Sequence, residues 1–311
     1  MPTMDIATAH YLQPAVMTTP GSYEPLFTDL PRGIASLAQV AHGVLIHEHI
    51  AGAYGVTLTA ERRGSVHVRP VAGLLGRIMG EDGRPLTVAR EPANRTPGNC
   101  RHFTVLAAAM LRAQGTPARA RCGFGGYFGS GAFEDHWVCE YWDRAVPGWK
   151  LADAQIDDVQ LNLFDVDFDL MDVPRDKFLA AGDAWRLCRS GDADPAKFGL
   201  SFMNEAGYWW IAGNLLRDVA ALNNMEMLPW DAWGAMPAPG ETIGDEGLAL
   251  FDRLAELTHD ADADAAFADL TAAYASDVRL HVPATVYNGV LNRTEPVLDD
   301  DRGPKTGPSP G

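Results

Sequence analysis

The chain has 311 residues, of which 47% are hydrophobic and 21% charged, a composition typical of a globular protein with one large domain or two moderate ones. The formal net charge of −16 argues against a nucleic-acid or anionic-membrane partner, because an acidic surface repels phosphate. The four cysteines show no CxxC spacing, so neither a disulfide scaffold nor a zinc ribbon is indicated. The sequence has no recognisable secretory signal or membrane span, and we expect a cytoplasmic protein with reduced thiols.

The distribution of proline, glycine and apolar residues predicts four segments in chain order. Residues 1–33 are rich in proline and predict an extended N-terminal arm. Residues 34–160 predict a compact core, and residues 161–291 a mainly helical extension that packs on it. Residues 292–311, rich in Pro, Gly and Asp, predict a disordered tail.

The first predicted element is a helix over residues 34–54, where apolar residues recur close to a helical period. His47 and His49 fall within it. Residues two apart on a helix point to different faces, so this interpretation excludes joint metal binding by the two histidines. Residues 65–70 alternate polar and apolar side chains and predict a short strand.

A second, strongly apolar helix is predicted to start at Cys100 and to end before Gly115. Strands are predicted over residues 118–124, 137–142 and 149–153. A helix followed by an antiparallel meander predicts an α+β fold. Further helices are predicted over residues 175–221, 248–257 and 265–274.

Cys100 stands where its helix begins, directly after a Pro-Gly turn. A thiol there meets unsatisfied backbone N–H groups and the positive end of the helix dipole, both of which favour the thiolate. A cysteine nucleophile also needs a base. His136 and Asp153 lie on successive predicted strands, whose pairing would set the carboxylate beside the imidazole. His102 is a poor candidate for the base, because it lies two positions along the same helix and points away.

These motifs together resemble the transglutaminase-like superfamily of papain-type folds, as found in bacterial transglutaminase-like domain proteins. The resemblance covers roughly residues 34–160 and rests on four stretches in the expected order, Gly98-Asn99-Cys100, Leu111-Arg112-Ala113-Gln114-Gly115-Thr116-Pro117-Ala118-Arg119, His136-Trp137-Val138 and Trp149-Lys150-Leu151-Ala152-Asp153.

The resemblance implies that residues 34–160 are a catalytic core, with Cys100 as nucleophile, His136 as general base and acid, and Asp153 as the carboxylate that orients His136. It implies a mainly structural role for Arg119, and it implies no cofactor and no metal. The sequence departs from the family pattern where tryptophan directly follows His136. Arginine after Cys100 also replaces the tryptophan of animal transglutaminases, so protein crosslinking is not implied.

The predicted activity is acyl transfer from an amide or (thio)ester through a thioester on Cys100, by a protease, an amidase or an amide-forming transferase. Its partner would be a peptide or small-molecule amide or acyl substrate, and the oligomeric state is left open. The backbone N–H of Cys100 is a natural oxyanion donor, whereas the second donor cannot be named from the sequence. The alternative is a non-catalytic binding or scaffold protein with the same fold. The other cysteines, Trp209, Trp210 and residues 225–233 are predicted to be core, although the tryptophans would also suit a cleft over Cys100.

Overall fold

The computed structural model describes residues 6–164, 166–259 and 264–298. Its α-helices are α1 (Ile6–His10), α2 (Ile34–Val44), α3 (Ala60–Arg63), α4 (Val71–Glu81), α5 (Cys100–Ala113), α6 (Asp158–Leu161), α7 (Ala181–Ser190), α8 (Tyr208–Leu222), α9 (Asp245–His259) and α10 (Asp264–Ser276). Its strands are β1 (Leu45–His47), β2 (Thr96–Gly98), β3 (Ala118–Gly125), β4 (Phe133–Asp143), β5 (Gly148–Ala152), β6 (Phe178–Ala180), β7 (Phe198–Leu200), β8 (Glu205–Ala206), β9 (Asp231–Ala232), β10 (Thr285–Asn288) and β11 (Arg293–Pro296).

Helix α5 is the central element, and every residue from Cys100 to Arg112 is buried. Its run of alanines and long apolar side chains favours a helix, and its few polar side chains are buried with the rest, as suits a helix covered on all sides. The preceding residue, Asn99, is extended and caps the helix. The chain leaves the helix through Gly115, whose φ of 74° is a left-handed conformation that glycine adopts without strain.

The main sheet has the strand order β6-β3-β4-β7-β8, with β5 also paired to β4. Strands β3, β4 and β5 form the predicted antiparallel meander, and β3 is buried along its whole length because α5 and α8 both pack against it. One hydrophobic cluster joins α2, α4 and α5 to this sheet, and a second gathers α7–α10 with the sheet residues Phe124 and Phe198. The predicted α+β fold is therefore confirmed. Among the described residues, no helix is both long and apolar enough to cross a membrane.

Several predicted boundaries are wrong. The helix expected over residues 34–54 ends at Val44, where the chain becomes β1 and then a 3₁₀ turn at Ala51–Tyr54. Residues 64–67 form a 3₁₀ turn rather than a strand. The segment expected to be largely helical over residues 175–221 contains two helices, α7 and α8, with strand β6 before the first and strands β7 and β8 between them.

The two chain ends also differ from the expectation. The N-terminal arm contains α1 and a 3₁₀ helix, Gly21–Phe27. Part of the predicted disordered tail forms strand β11, which pairs with β10, and that strand pairs in turn with β9. The tail beyond residue 298 lies outside the described residues, and the four segment boundaries remain predictions.

Candidate active site

The structure brings together the three residues that the sequence singled out. Cys100 is the first residue of α5 and is 7% exposed, so its thiol lies at the edge of the protein interior. His136 lies on β4, and Asp153 directly follows β5. Because β4 and β5 pair with Cys139 opposite Ala152, Asp153 falls opposite Val138, two positions from His136 on the same face of the sheet.

The imidazole and the carboxylate form a direct hydrogen bond. Nε2 of His136 donates to Oδ2 of Asp153 over 2.8 Å, and both side chains are buried. Burial by itself would lower the pKa of His136, but the charge and hydrogen bond of Asp153, together with a hydrogen bond to Cys100, raise that pKa to about 10. With Nε2 turned to Asp153, Nδ1 is the ring nitrogen left for the thiol. Protonated His136 therefore sits between a carboxylate and the sulfur.

Asp153 is held as an anion by several donors. Burial alone would raise its pKa, whereas the charge and hydrogen bond of His136 and the donors of Gln155 and Tyr127 lower it. The backbone N–H of Gln155 donates over 3.0 Å, and the Tyr127 hydroxyl donates over 2.8 Å. A buried carboxylate with these partners stays charged and fixes the ring orientation of His136.

An aromatic roof, made of Tyr127, Phe128, Phe164 and Phe168, covers this ion pair. The Phe128 ring lies 4.9 Å from the His136 ring and 4.9 Å from Phe164. The glycines beneath the roof are required for its close packing, since a Cβ on Gly125 would come within 2.6 Å of the Phe128 ring. The roof keeps water from the imidazole–carboxylate pair, which strengthens their attraction. Sequence reasoning missed these aromatics. Their only local signal was the glycine-rich stretch between two strands.

His102 has a structural role in the capping of α5. Its Nδ1 accepts from the Asn99 backbone N–H over 3.2 Å, and its Nε2 donates to the Val68 carbonyl over 3.1 Å. Burial lowers the pKa of His102 to about 3. Both ring nitrogens are therefore occupied, and the imidazole is unsuited to act as a base at Cys100.

The other three cysteines are buried and free, as predicted. Burial raises the pKa of the Cys122 thiol well above its ordinary value and that of Cys139 and Cys188 to about 12. These thiols remain protonated and unreactive near neutral pH. Arg119 is buried and ion-paired to Glu140, in keeping with the structural role implied for it.

His47 and His49 are not on a helix, so the reason given for excluding joint metal binding was wrong. His47 is the last residue of β1 and His49 lies in the turn after it, which brings their ring centroids within 5.8 Å. In the part of the chain that the structure describes, no group of three or more His, Cys, Asp and Glu side chains is arranged to hold a metal ion.

The predicted core tryptophans are buried to different degrees. Trp233 is buried, as predicted for residues 225–233. Trp210, at the start of α8, is partly buried and donates from Nε1 to Asp135 over 2.7 Å, next to His136. Exposed Phe202 lies 5.4 Å from the His49 ring. The prediction of a core position is therefore confirmed for Trp233, whereas Trp210 is only partly buried.

Comparison with known proteins agrees with this architecture. Residues 79–154 match the model of the transglutaminase-like superfamily, and this range contains Cys100, His136 and Asp153. The chain therefore contains a transglutaminase-like region, residues 79–154, within an α+β, papain-type core. The family match supports a cysteine-dependent enzyme in general terms and does not specify its reaction.

Among solved structures, the chain is similar to a candidate cysteine protease from Cytophaga hutchinsonii. The two chains are 18% identical over 53% of this chain and 47% of that chain, with a TM-score of 0.31. The chain thus spans about half the length of this neighbour, and a likeness this weak carries no argument about function. No curated protein matches the chain.

Proposed function

We propose that the protein is a cysteine-dependent acyl-transfer enzyme that acts on an amide or (thio)ester through a thioester on Cys100. The observation that carries the proposal is the buried, charged pair of His136 and Asp153, placed against the thiol at the start of α5. Burial of an ion pair costs free energy unless well-placed hydrogen bonds compensate for the lost hydration. Here the positive charge of His136 lies beside the Cys100 sulfur, where it stabilises a thiolate.

In the proposed first step, the Cys100 thiolate bonds to the carbonyl carbon of the substrate and the carbonyl oxygen becomes an oxyanion. The carbonyl then re-forms, the bond to the leaving group breaks, and His136 gives its proton to the leaving amine or alcohol. The product of this step is a thioester on Cys100 and a neutral His136.

In the proposed second step, His136 takes a proton from an incoming water or amine, which attacks the thioester carbonyl. Collapse of this intermediate releases the acid or the new amide and returns the thiolate. The Cys100–His136–Asp153 arrangement serves both acceptors equally, so hydrolysis and amide formation are the two outcomes of one mechanism. The acceptor is set by how well the cleft excludes water.

Alkylation of the four cysteines tests the activated thiol. We expect iodoacetamide at pH 6 to modify Cys100 faster than a free thiol peptide, because protonated His136 stabilises the thiolate. The Cys100 rate should stay nearly level toward pH 9, since the pKa of His136 is raised to about 10. The peptide rate should rise over the same range as its own thiol ionises, so the ratio of the two rates should narrow. The Cys100 rate should fall in acid once the pH drops below the lowered pKa of Asp153, because a neutral Asp153 no longer stabilises protonated His136.

The readout is peptide mass mapping of each cysteine against time, with Cys139 and Cys188 as internal controls for unfolding. A Cys100 thiol that reacts no faster than the free peptide at pH 6 would remove the basis of the proposal. That result would favour the non-catalytic binding or scaffold role, in which the fold is kept and the thiol is inert.

A further inference from the structure

His47 ends strand β1 beside the segment that leads into Cys100. Strand β1 pairs in parallel with β2, and this register places His47 opposite Gly98, two residues before Cys100. Paired residues of a sheet direct their side chains to the same face. A Cβ built on Gly98 would lie 3.0 Å from the Cβ of His102, in the first turn of α5. The His47 side chain therefore lies on the face that the start of α5 covers.

The alternation along β1 gives the same result independently. Leu45, two residues before His47, belongs to the hydrophobic cluster that contains α5. Ile46 belongs to a separate small cluster with Ala51 and Leu58. Since side chains alternate along a strand, His47 shares the face of Leu45 and points to α5.

The hydrogen bonds of His47 define its tautomer. Its Nδ1 accepts from the backbone N–H of His49 over 3.3 Å, so the proton is carried by Nε2. Burial lowers the pKa of His47 to about 3, and the charges of His49 and His136 lower it while that of Asp153 raises it. His47 is thus a neutral imidazole at neutral pH, with an N–H donor on Nε2. Among the described residues, no side chain or carbonyl accepts a hydrogen bond from this nitrogen.

The Cys100 backbone N–H likewise lacks a hydrogen-bond acceptor among the described residues. As the first N–H of α5 it has no acceptor within the helix, and none of the described residues outside the helix accepts from it. Two N–H groups without acceptors among the described residues therefore belong to neighbouring elements, one at the start of α5 and one on β1, which pairs with the strand before α5. The ion pair of His136 and Asp153 is close enough to His47 for its charges to affect that ring.

We propose that Nε2–H of His47 is the second donor to the oxyanion, acting together with the backbone N–H of Cys100. The assignment rests on the proposed acyl-transfer function. When Cys100 sulfur bonds to the carbonyl carbon, the oxygen gains the negative charge and accepts both hydrogen bonds. When the carbonyl re-forms, the charge leaves the oxygen and His47 still holds its proton. His47 is a hydrogen-bond donor in this step and never a base.

The test compares two reactions of the same thiol in the intact protein. Acylation of Cys100 by p-nitrophenyl acetate passes through an oxyanion, whereas alkylation by iodoacetamide does not. We expect His47→Phe to slow acylation by about 10²- to 10³-fold, the usual effect of losing one oxyanion donor, and to change alkylation less than about twofold. His47→Gln keeps a side-chain N–H and should recover part of the acylation rate. His49→Phe is the matched control and should leave both rates unchanged, because it keeps the backbone N–H that residue 49 donates to Nδ1 of His47.

The outcomes separate the assignment from the function on which it rests. Equal losses in acylation and alkylation would overturn the oxyanion role, since His47 would then act on the thiolate itself. Unchanged acylation in His47→Phe would overturn it as well. If His47→Phe does not fold, His47→Ala decides in its place, since alanine also lacks a side-chain donor. An acylation rate in His47→Ala equal to that of the wild type overturns the assignment. Rapid alkylation of the wild type without any acylation would instead contradict the proposed function.

Discussion

Replacement of Cys100 by alanine is expected to abolish acyl transfer while the protein remains folded. In the proposed mechanism the Cys100 sulfur forms the thioester. Burial raises the pKa of Cys122, Cys139 and Cys188, so none of these thiols can substitute for it. Removal of a covalent nucleophile costs at least about 10⁴-fold in rate in enzymes of this kind. The measurement is release of p-nitrophenol from p-nitrophenyl acetate, corrected for the uncatalysed reaction.

The fold should tolerate this substitution. The Cys100 side chain is small and packs in a cluster with Ala120, Cys122, Trp137 and Ala221, so its loss removes one sulfur atom from the interior. Far-ultraviolet circular dichroism and the unfolding midpoint of the variant should stay close to those of the wild type. Cys188→Ala is the matched control, because it deletes a buried thiol on α7 in a different hydrophobic cluster from Cys100 and should keep full activity. Turnover by Cys100→Ala at the wild-type rate would show that the nucleophile lies elsewhere.

Loss of the Glu140 carboxylate is expected to cause the largest loss of stability. Glu140 on β4 is fully buried and accepts from Arg119 over 2.7 Å, from Arg121 over 3.2 Å and from Arg175 over 2.6 Å. Arg121 is also paired with Asp218 on α8, so the network ties the sheet to the helix behind it. Glu140→Gln would leave buried guanidinium groups short of one counter-charge. Such a loss costs about 3–5 kcal/mol, a large fraction of the ~5–15 kcal/mol that stabilises a typical domain.

The pH dependence of stability gives this prediction a second readout. Burial alone would raise the pKa of Glu140, but its three arginine partners hold it well below the ordinary value of 4.5. The carboxylate therefore contributes its full stability above that ordinary value and loses it as the pH falls toward the lowered one. The wild type should lose stability in acid through this group, whereas Glu140→Gln should show a flatter acid limb.

Urea unfolding followed by tryptophan fluorescence measures both effects as a change in the free energy of unfolding. Arg186→Ala is the control for charge removal, because Arg186 forms an exposed ion pair with Glu256 over 3.2 Å and such pairs contribute little. A Glu140→Gln variant as stable as the wild type would contradict the importance given to this network.

The parts of the fold that the sequence predicted well are those set by local pattern. Helix α5 was predicted with its start at Cys100, because a small-residue turn and a long apolar run leave few alternatives. The meander of β3, β4 and β5 was predicted from strand patterns and the turns between them. The proximity of His136 and Asp153 followed from that pairing, which explains why the candidate site residues were found before the fold was known.

The parts that failed depend on contacts between distant segments. His47 was assigned to a helix because its neighbours continue the apolar pattern of α2, yet the chain at this point pairs with β2, some 50 residues later. Tyr127 carries no sequence signal for its hydrogen bond to Asp153, since that contact requires the glycine-rich loop to fold back over the sheet. The Glu140 network could not be predicted from the sequence for the same reason, because the packing of β3 and α8 determines which charged side chains pair.

The central claim is that Cys100 carries the acyl group during the reaction. The most direct test is intact-protein and peptide mass spectrometry after brief exposure to p-nitrophenyl acetate, quenched in acid. The expected result is one added acetyl group on the Cys100 peptide. Hydroxylamine should remove this group, as it cleaves thioesters, and the Cys100→Ala variant should not acquire it. Acetylation confined to another residue, or no acetylation of a folded wild-type protein in which Cys100 alkylates rapidly, would contradict the account.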